Sequence, residues 1–370
     1  MTAGRAVGLR RPSRIDQIIP SIIEYDAVSN HTFAAQRLLR EMGFASDIYA
    51  STLGPGVEDR VRPLVEFEPD DDPAHWVMYQ CSIGSHAAET FASHKGIKLL
   101  DYHNITPQHL VVRWLPPLGQ EIQLGREQLK ALAPIVDYAI ADSPFNAAEL
   151  ISLGYSHAEV VSVLIEQGNI GAKPHAGTLA RLARDGGHNW LFVGQLAPHK
   201  AQHDLIMAFA CYRELFDQRA RLFLIGREMG STYRSALGRL VRALELDDWV
   251  EMPGSVPTDE LAAYYELSDV FVCLSDHEGF CAPIVESMSR GLAVVAFGAA
   301  AVPDTVGDAG VLIDHKEPEF VACVVHALFE SPELMASMVD RALARAKQFT
   351  LERSEEAFVG AMRRAIELLS

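Results

Sequence analysis

The chain has 370 residues, 49% of them hydrophobic, and a formal net charge of −17 at pH 7. At roughly 100–200 residues per domain, that length predicts two domains, each large enough for its own core. The hydrophobic fraction excludes a disordered chain, and the acidic balance disfavours nucleic acid as a main partner, because neutralising phosphates needs a basic surface. Five cysteines, at 81, 211, 273, 281 and 323, are scattered and never spaced C-x-x-C. That argues against a disulfide framework and a zinc ribbon. Cys273 and Cys323 lie in apolar runs and read as small core residues. No apolar run approaches the roughly 20 residues of a membrane span. The opening MTAGRAVGLRRP lacks the apolar core of a signal peptide, so a cytoplasmic location is expected. Arg5, Arg10, Arg11 and Arg14 form a basic cluster. It reads either as a solvated tail or as a weak tether to the inner face of an anionic membrane.

Strand and helix patterns alternate throughout, which predicts parallel sheets with crossover helices. Residues 15–19 read as the first strand, 20–30 as a loop and 31–42 as the first helix. A strand at 46–50 precedes an acidic stretch, Glu66-Phe67-Glu68-Pro69-Asp70-Asp71-Asp72-Pro73. Strands follow at 76–79 and 98–102 around a helix at 87–94, then a helix at 129–135. The strand at 139–141 ends in Asp142-Ser143-Pro144, a capped helix start, and 160–165 closes this half. Residues 167–189, rich in glycine, polar and basic residues, read as a linker. The alternation then restarts, with strands at 190–194, 222–225, 249–252, 270–274, 292–297 and 311–313. Helices are expected at 202–216, 233–243, 259–267, 320–329, 332–349 and 352–369. Each half is a doubly wound unit, whose ligands belong at the carboxyl ends of the strands. The expected domains are 1–170 and 171–350, with a closing helix over 351–370.

The most informative stretch is 275–291, S-D-H-E-G-F-C-A-P-I-V-E-S-M-S-R-G. It follows a short apolar strand. Gly279 breaks the pattern, and Pro283 suits the first turn of a helix, where its missing N–H was an orphan donor anyway. Glu278 then lies on the strand-to-helix loop and Glu286 about one turn into the helix. The amides of Gly279, Phe280 and Cys281, with the positive end of the helix dipole, make an anion site. Two carboxylates beside it can each accept a pair of sugar hydroxyls. A ligand carrying both phosphate and sugar fits: a nucleotide sugar.

Glu278 and Glu286, with Gly279-Phe280 between them and Pro283 three residues before Glu286, resemble the E-x7-E signature of retaining GT-B glycosyltransferases of family 4. The likeness continues through Val294-Val295 to Val302-Pro303-Asp304-Thr305. The resemblance implies an α/β, GT-B fold: two Rossmann-like doubly wound domains facing across a cleft. The first domain would bind the acceptor and the second the nucleotide sugar, and the final helix would cross back to the first. Glu286 would grip the ribose, and Glu278 with the 279–281 amides would hold the sugar hydroxyls.

Other stretches join by the same resemblance. Phe192-Val193-Gly194-Gln195-Leu196-Ala197-Pro198-His199-Lys200 is similar to the family's V-G-R-L-x-P-x-K element. Lys200 would neutralise a departing diphosphate. Gln195 stands where arginine is usual, which removes one fixed charge. His103, in Asp101-Tyr102-His103-Asn104, resembles the family's strand-end histidine near the reacting carbon. The loop before the first helix lacks the usual glycine pair. Ser29 and Asn30 are expected to cap that helix, with Asn30 and His31 as candidate phosphate or acceptor contacts. The region of Gly226 and the Val256 neighbourhood would hold the nucleotide base, with Arg227 as a candidate phosphate or ribose contact, and Val302-Pro303 would begin a helix near the sugar.

Three patterns read as decoys. Asp70-Asp71-Asp72 satisfies D-x-D but sits between prolines as a solvated acidic turn. His199 and His203 have zinc-pair spacing, but no third ligand is evident and Lys200 would repel a cation. Gly54-Pro55-Gly56 is a turn that does not continue as a dinucleotide fingerprint. The resulting expectation is a retaining, metal-independent hexosyltransferase with no cofactor. UDP-hexose is the favoured donor and GDP-mannose the second. The acceptor would be a sugar, polysaccharide or lipid-linked hydroxyl. A nucleotide-sugar 2-epimerase and a non-catalytic nucleotide-sugar-binding subunit are the alternatives.

Overall fold

The computed structural model describes residues 11–23, 26–164, 171–183 and 186–370. The described residues form two compact units, one drawn from those within 11–108, 117–164 and 351–370, the other from those within 109–116 and 171–350.

The first unit is built on a seven-stranded sheet. Its strands are β1 (Arg14–Ile22), β2 (Ile48–Leu53), β3 (Arg62–Pro63), β4 (His75–Cys81), β5 (Lys98–Tyr102), β6 (Tyr138–Ala141) and β7 (Glu159–Val160). They run in the order β3-β2-β1-β4-β5-β6-β7, parallel throughout. β4 and β5 are buried at every position, as expected for a parallel sheet covered on both faces. One face packs under helix Ala27–Glu41 and helix Leu351–Leu369. The latter presents Phe358, Ala361, Met362, Ala365 and Ile366, a stripe at helical spacing, to Ile15, Leu38, Trp76 and Met78.

The second unit repeats the plan with β8 (Asn189–Val193), β9 (Arg221–Ile225), β10 (Val250–Gly254), β11 (Val270–Cys273), β12 (Ala293–Phe297) and β13 (Val311–Ile313). The order is β10-β9-β8-β11-β12-β13. Both sheets start near their middle and wind outward in two directions. The reversal lies between β1 and β4 in the first and between β8 and β11 in the second. Such reversals open a crevice at the strands' carboxyl ends.

Several elements differ from the sequence reading. The first helix starts at Ala27, four residues early, because Asp26 rather than Ser29 or Asn30 is its cap; Asp26 accepts the Ser29 amide. The helix expected at 129–135 begins at Pro116, its early turns hidden by Pro116-Pro117, Gly119 and Gly125. Gly125 is required there: a Cβ would lie 2.4 Å from the Gly84 nitrogen. The linker reading fails over its described part, where Ala176–Leu182 is helical with Leu182 buried; residues 167–170 and 184–185 lie outside the described residues. Cys323 is exposed, on the outer side of helix Pro318–Phe329, whereas Cys273 is in the core. Arg14 is no tail residue: it opens β1 and pairs with Asp16 at 2.7 Å and Asp47 at 2.8 Å. Arg5 and Arg10 lie outside the described residues. Among the described residues no single helix is long and apolar enough to cross a membrane.

Phe358 is fully buried between the closing helix and the first sheet. Phe358→Ala is expected to cost about 3–5 kcal/mol, read as a lower denaturant midpoint by circular dichroism. An unchanged midpoint would mean that this helix is not part of the first unit's core.

Candidate functional site

The carboxyl ends of β8 and β11, neighbours at the second sheet's reversal, carry the main cluster. Gly194 follows β8 and Gly226 follows β9, both at positive φ. A Cβ on Gly226 would lie 2.1 Å from the Gly194 carbonyl oxygen, so only glycine lets the two strand ends touch. The Leu196 amide then donates to Arg227 O at 2.9 Å, and Met229 N to Leu196 O at 3.1 Å. Past this loop comes one turn of 3-10 helix, Pro198–Lys200, and then Ala201 at φ 51, which starts helix Gln202–Leu215 without a side-chain cap. Gln195 is half-buried, and its carbonyl accepts from Gln202 Nε2 at 2.8 Å.

Lys200 Nζ meets Glu278 Oε2 at 2.6 Å. Glu278 Oε1 accepts from Ser275 Oγ at 2.8 Å, and Glu278 is 6% exposed. Burial works against the Lys200 charge, but the Glu278 carboxylate outweighs it and raises the ammonium's pKa above the usual lysine value. The Asp276 amide donates to His199 O at 2.8 Å, locking the two loops in register. Helix Ala282–Ser289 begins at Cys281, in the left-handed region at φ 69, again without a side-chain cap. Gly279, Phe280 and Cys281 therefore form the tight turn ahead of its N-terminus, with Pro283 in its first turn. Phe280 and Cys281 are themselves buried.

Glu286, one turn into that helix, is buried and accepts from Tyr265 OH at 2.8 Å. Burial, and then the Glu286 charge, push the Tyr265 phenol well above its usual value. Next along the sheet, the Ala301 amide donates to Glu278 O at 3.2 Å, Thr305 Oγ1 donates to Phe280 O, and helix Val302–Val306 starts beside them. Lys316, past β13, bridges Asp204 and Asp276. On the other side lies a cavity of about 370 Å³, lined by Leu196, Arg227, Glu228, Arg234, Met252 and the Pro253–Ser255 loop. It takes in Arg227 but not Lys200, Glu278 or Glu286. It opens at the ends of β9 and β10, on the far side of the Gly194–Gly226 junction.

In the first unit, His103 follows β5 and is buried. Its Nε2 lies 2.6 Å from Gln80 Oε1, and its Nδ1 3.1 Å from Asp142 Oδ2. Gln80 spends its amide nitrogen on Gln17 Oε1, so its oxygen faces the ring and can only accept. Both ring nitrogens therefore donate, and His103 is an imidazolium. Burial opposes that charge, but Asp142 and Asp101 outweigh it and raise the pKa to about 9. Asn104 follows in the left-handed region at φ 70. Asn30 is half-buried in the helix's first turn. His31 is corrected as a ligand contact: it is fully buried, accepting the Leu164 amide at Nδ1 and donating from Nε2 to Asp101.

Residues 181–345 match the family model described as Glycosyl transferases group 1. The O-antigen chain mannosyltransferase B of Escherichia coli is 30% identical over 44% of this chain and 42% of its own length. The D-inositol 3-phosphate glycosyltransferase of Kineococcus radiotolerans is 31% identical over 68% of this chain and 61% of its own. The matches thus span less than two thirds of either relative. Sucrose-phosphate synthase from Thermosynechococcus elongatus superposes with a TM-score of 0.75 at 17% identity, over 98% of this chain and 100% of that one. Anabaena HepE in complex with UDP and glucose gives 0.72 at 17% identity, over 95% and 100%.

The fold is GT-B. Its second half carries the group 1 glycosyl transferase pattern. Within this GT-B chain, Gly194, Gln195, Lys200, Glu278–Cys281 and Pro283 converge on one sheet reversal, with Glu286 and Arg227 on its flanks. His103, Asn30 and His31 belong to the other unit. Sequence reasoning missed Gln80, Asp142, Tyr265, Asp204 and Lys316. Asp142 stood in a motif read only as a cap, and Ser143 does cap, accepting the Asn146 amide; the others sit in no recognisable motif. Two His/Cys/carboxylate groupings here suit a metal poorly. His31, Asp101 and His103 already bond to one another's neighbours, and Glu278, between Cys273 and Cys281, is held by the Lys200 cation. His199 and His203 do not converge, since His203 Nδ1 bonds Tyr233 OH at 3.0 Å.

His103 has a folded pKa of about 9 against 6.5 for the free side chain. A raised value contributes stability that is complete below about pH 6.5 and lost as pH climbs through about 9. The stability difference between the protein and His103→Asn should therefore shrink by about 3 kcal/mol from pH 6 to pH 10. It would be measured by urea unfolding at each pH; a pH-independent difference would show that the imidazolium is not formed.

Proposed function

We propose that this protein transfers a hexose from a nucleotide sugar to a hydroxyl acceptor with retention of configuration. The observation that carries the reading is the Lys200–Glu278 pair at the sheet reversal, between two helices that start without side-chain caps. Lys200 would stabilise the diphosphate as it leaves, aided by the Gly279–Cys281 turn and the helix N-terminus behind it. This arrangement supplies the positive charge that a metal ion supplies elsewhere, and it offsets the missing arginine at Gln195. Glu278 keeps Lys200 in place and retains lone pairs for sugar hydroxyls. Glu286, aligned by Tyr265, would hold the ribose, and the cavity beside Arg227 would take the base.

In the proposed step the bond from the sugar's anomeric carbon to the diphosphate oxygen breaks. The acceptor oxygen bonds that carbon on the same face, and the acceptor's proton passes to the departing phosphate. Glu278 is spoken for by Lys200 and Ser275, which supports this route over a covalent glycosyl-enzyme. The reading places His103 as a fixed positive charge in the first unit, where the acceptor would bind. UDP-hexose is the first donor candidate, supported by the UDP and glucose bound to HepE; GDP-mannose is the second, supported by the mannosyltransferase relative. The acceptor is a sugar, polysaccharide or lipid-linked hydroxyl, met at the inner membrane face in the last case. No cofactor enters the scheme.

A thermal-shift screen should show stabilisation by UDP or GDP, since a bound nucleotide raises stability by mass action. With the donor so identified, Lys200→Ala and Glu278→Gln should each lower kcat by about 10²–10³-fold. Glu286→Gln should act mainly on donor KM, by about tenfold or more. Near-normal turnover in both Lys200→Ala and Glu278→Gln would sink the assignment. A new sugar nucleotide formed from donor alone would instead indicate an epimerase.

A further inference from the structure

We propose that Asp70, His75 and His94 form a zinc(II) site at the amino end of the first sheet, with water as the fourth ligand. One donor atom from each lies within 4.8 Å of the others. His75 opens β4, with Nδ1 2.7 Å from Asp70 Oδ2. His94 ends helix His86–Ser93, and its Nδ1 lies 3.8 Å from Asp70 Oδ1. Zinc bonds to such ligands are about 2.0–2.1 Å, so the three donors would draw in around one ion.

The decisive observation is an orphan. His94 Nε2 bonds the His75 carbonyl oxygen at 2.9 Å, and a carbonyl only accepts, so Nε2 carries the hydrogen. Nδ1 of the neutral ring is then a bare lone pair. His94 is fully buried, and Nδ1 has no hydrogen-bond partner among the described residues. A buried acceptor without a donor is costly, and a cation at this point satisfies it.

The surroundings match those of ligating histidines, which give their second nitrogen to a carboxylate or a backbone carbonyl. His94 gives Nε2 to the His75 carbonyl. His75 directs Nε2 at Asp16 Oδ2, 3.1 Å away. Phe67 lies against both rings, at 6.0 and 6.3 Å. Gly96 closes the floor, where a Cβ would lie 2.5 Å from His94 Nε2 and 2.6 Å from the His75 oxygen. The carboxylates of Asp70 and Asp16 balance the double charge, while the Lys98 amine is turned to Gly96 O. Asp70 is 43% exposed and provides the way in. On binding, His75 releases its Nδ1 proton to solvent. The ion would add to the Lys95 amide's bond to the Asp70 carbonyl oxygen at 2.9 Å, which already ties the acidic turn to the loop after helix His86–Ser93.

The test uses the whole chain, stripped with a chelator and titrated with Zn²⁺ against a chromophoric chelator. Co²⁺ is then substituted and its visible bands recorded. The expected result is one tight Zn²⁺ per chain and intense four-coordinate Co²⁺ bands. Asp70→Asn, on an exposed turn, should weaken binding at least about tenfold, and His94→Gln should weaken it further. Asp70→Asn also keeps the question answerable if His94→Gln does not fold. No tight ion in the parent protein, or equal affinity in Asp70→Asn, overturns the proposal.

Discussion

A half-buried ammonium held 2.6 Å from a buried carboxylate fixes the working end of the second unit. Removing two charges from water costs several kcal/mol per ion, and their attraction recovers this only with good geometry and further hydrogen bonds. Both conditions are met here: Ser275 takes the second Glu278 oxygen, and the Asp276–His199 backbone bond holds the loops at one height. The pair therefore determines where the loops after β8 and β11 sit, and with them the starts of helices Gln202–Leu215 and Ala282–Ser289. Well-packed apolar residues of similar volume are often as stabilising as an ion pair removed from water. The proposed anion chemistry gives a reason for an ion pair at this position that stability alone does not.

The first unit follows the same logic with the opposite local emphasis. His103 is a buried cation whose counter-charges, Asp142 and Asp101, arrive from strand ends on β6 and β5, and Gln80 arrives from β4. Three adjacent strands are pinned at their carboxyl ends by one ring. The ring's nitrogens are both committed, so its influence on anything bound nearby is exerted as charge and by the backbone it holds. Asn104, the next residue, adopts positive φ within that framework.

Much of this architecture is legible along the chain because it is local. Strand runs such as Val270–Cys273 and the Gly279/Pro283 punctuation declare themselves within a few residues, and so does the closing helix's stripe of Phe358, Met362 and Ile366. What stays hidden is of two kinds. Some elements are masked by residues with a second use: Pro116-Pro117 opens a helix although proline more often ends one, and glycine at 125 serves close approach to Gly84. Cys323 sits in an apolar run yet faces outward, because one helix face must meet solvent whatever its neighbours are. Other features are pairings over long separations. Lys200 and Glu278 are each recognisable from a motif, but their bond joins residues 78 apart. The partners of His103 lie 23 and 39 residues away, and no periodicity reports such distances.

Backbone strain marks the same positions independently. Five described residues other than glycine take positive φ: Asn104, Ala201, Glu245, Cys281 and Ala300. Four of them follow β5, β8, β11 and β12, at the carboxyl ends of their strands. An L-residue in the left-handed region costs roughly 1–2 kcal/mol, and glycine at any of the four would remove the cost. Such strain persists only where the surroundings over-determine it, and it concentrates at functional sites. At Ala201 and Cys281 the strained residue is also the one that starts a helix, in place of a Ser, Thr or Asp whose side chain would cover the first amides. The same substitution that strains the backbone leaves the helix end without a side-chain cap. Strain, uncapped amides and the ion pair thus coincide at one sheet reversal, and a hydrophobic core alone gives no reason for any of the three.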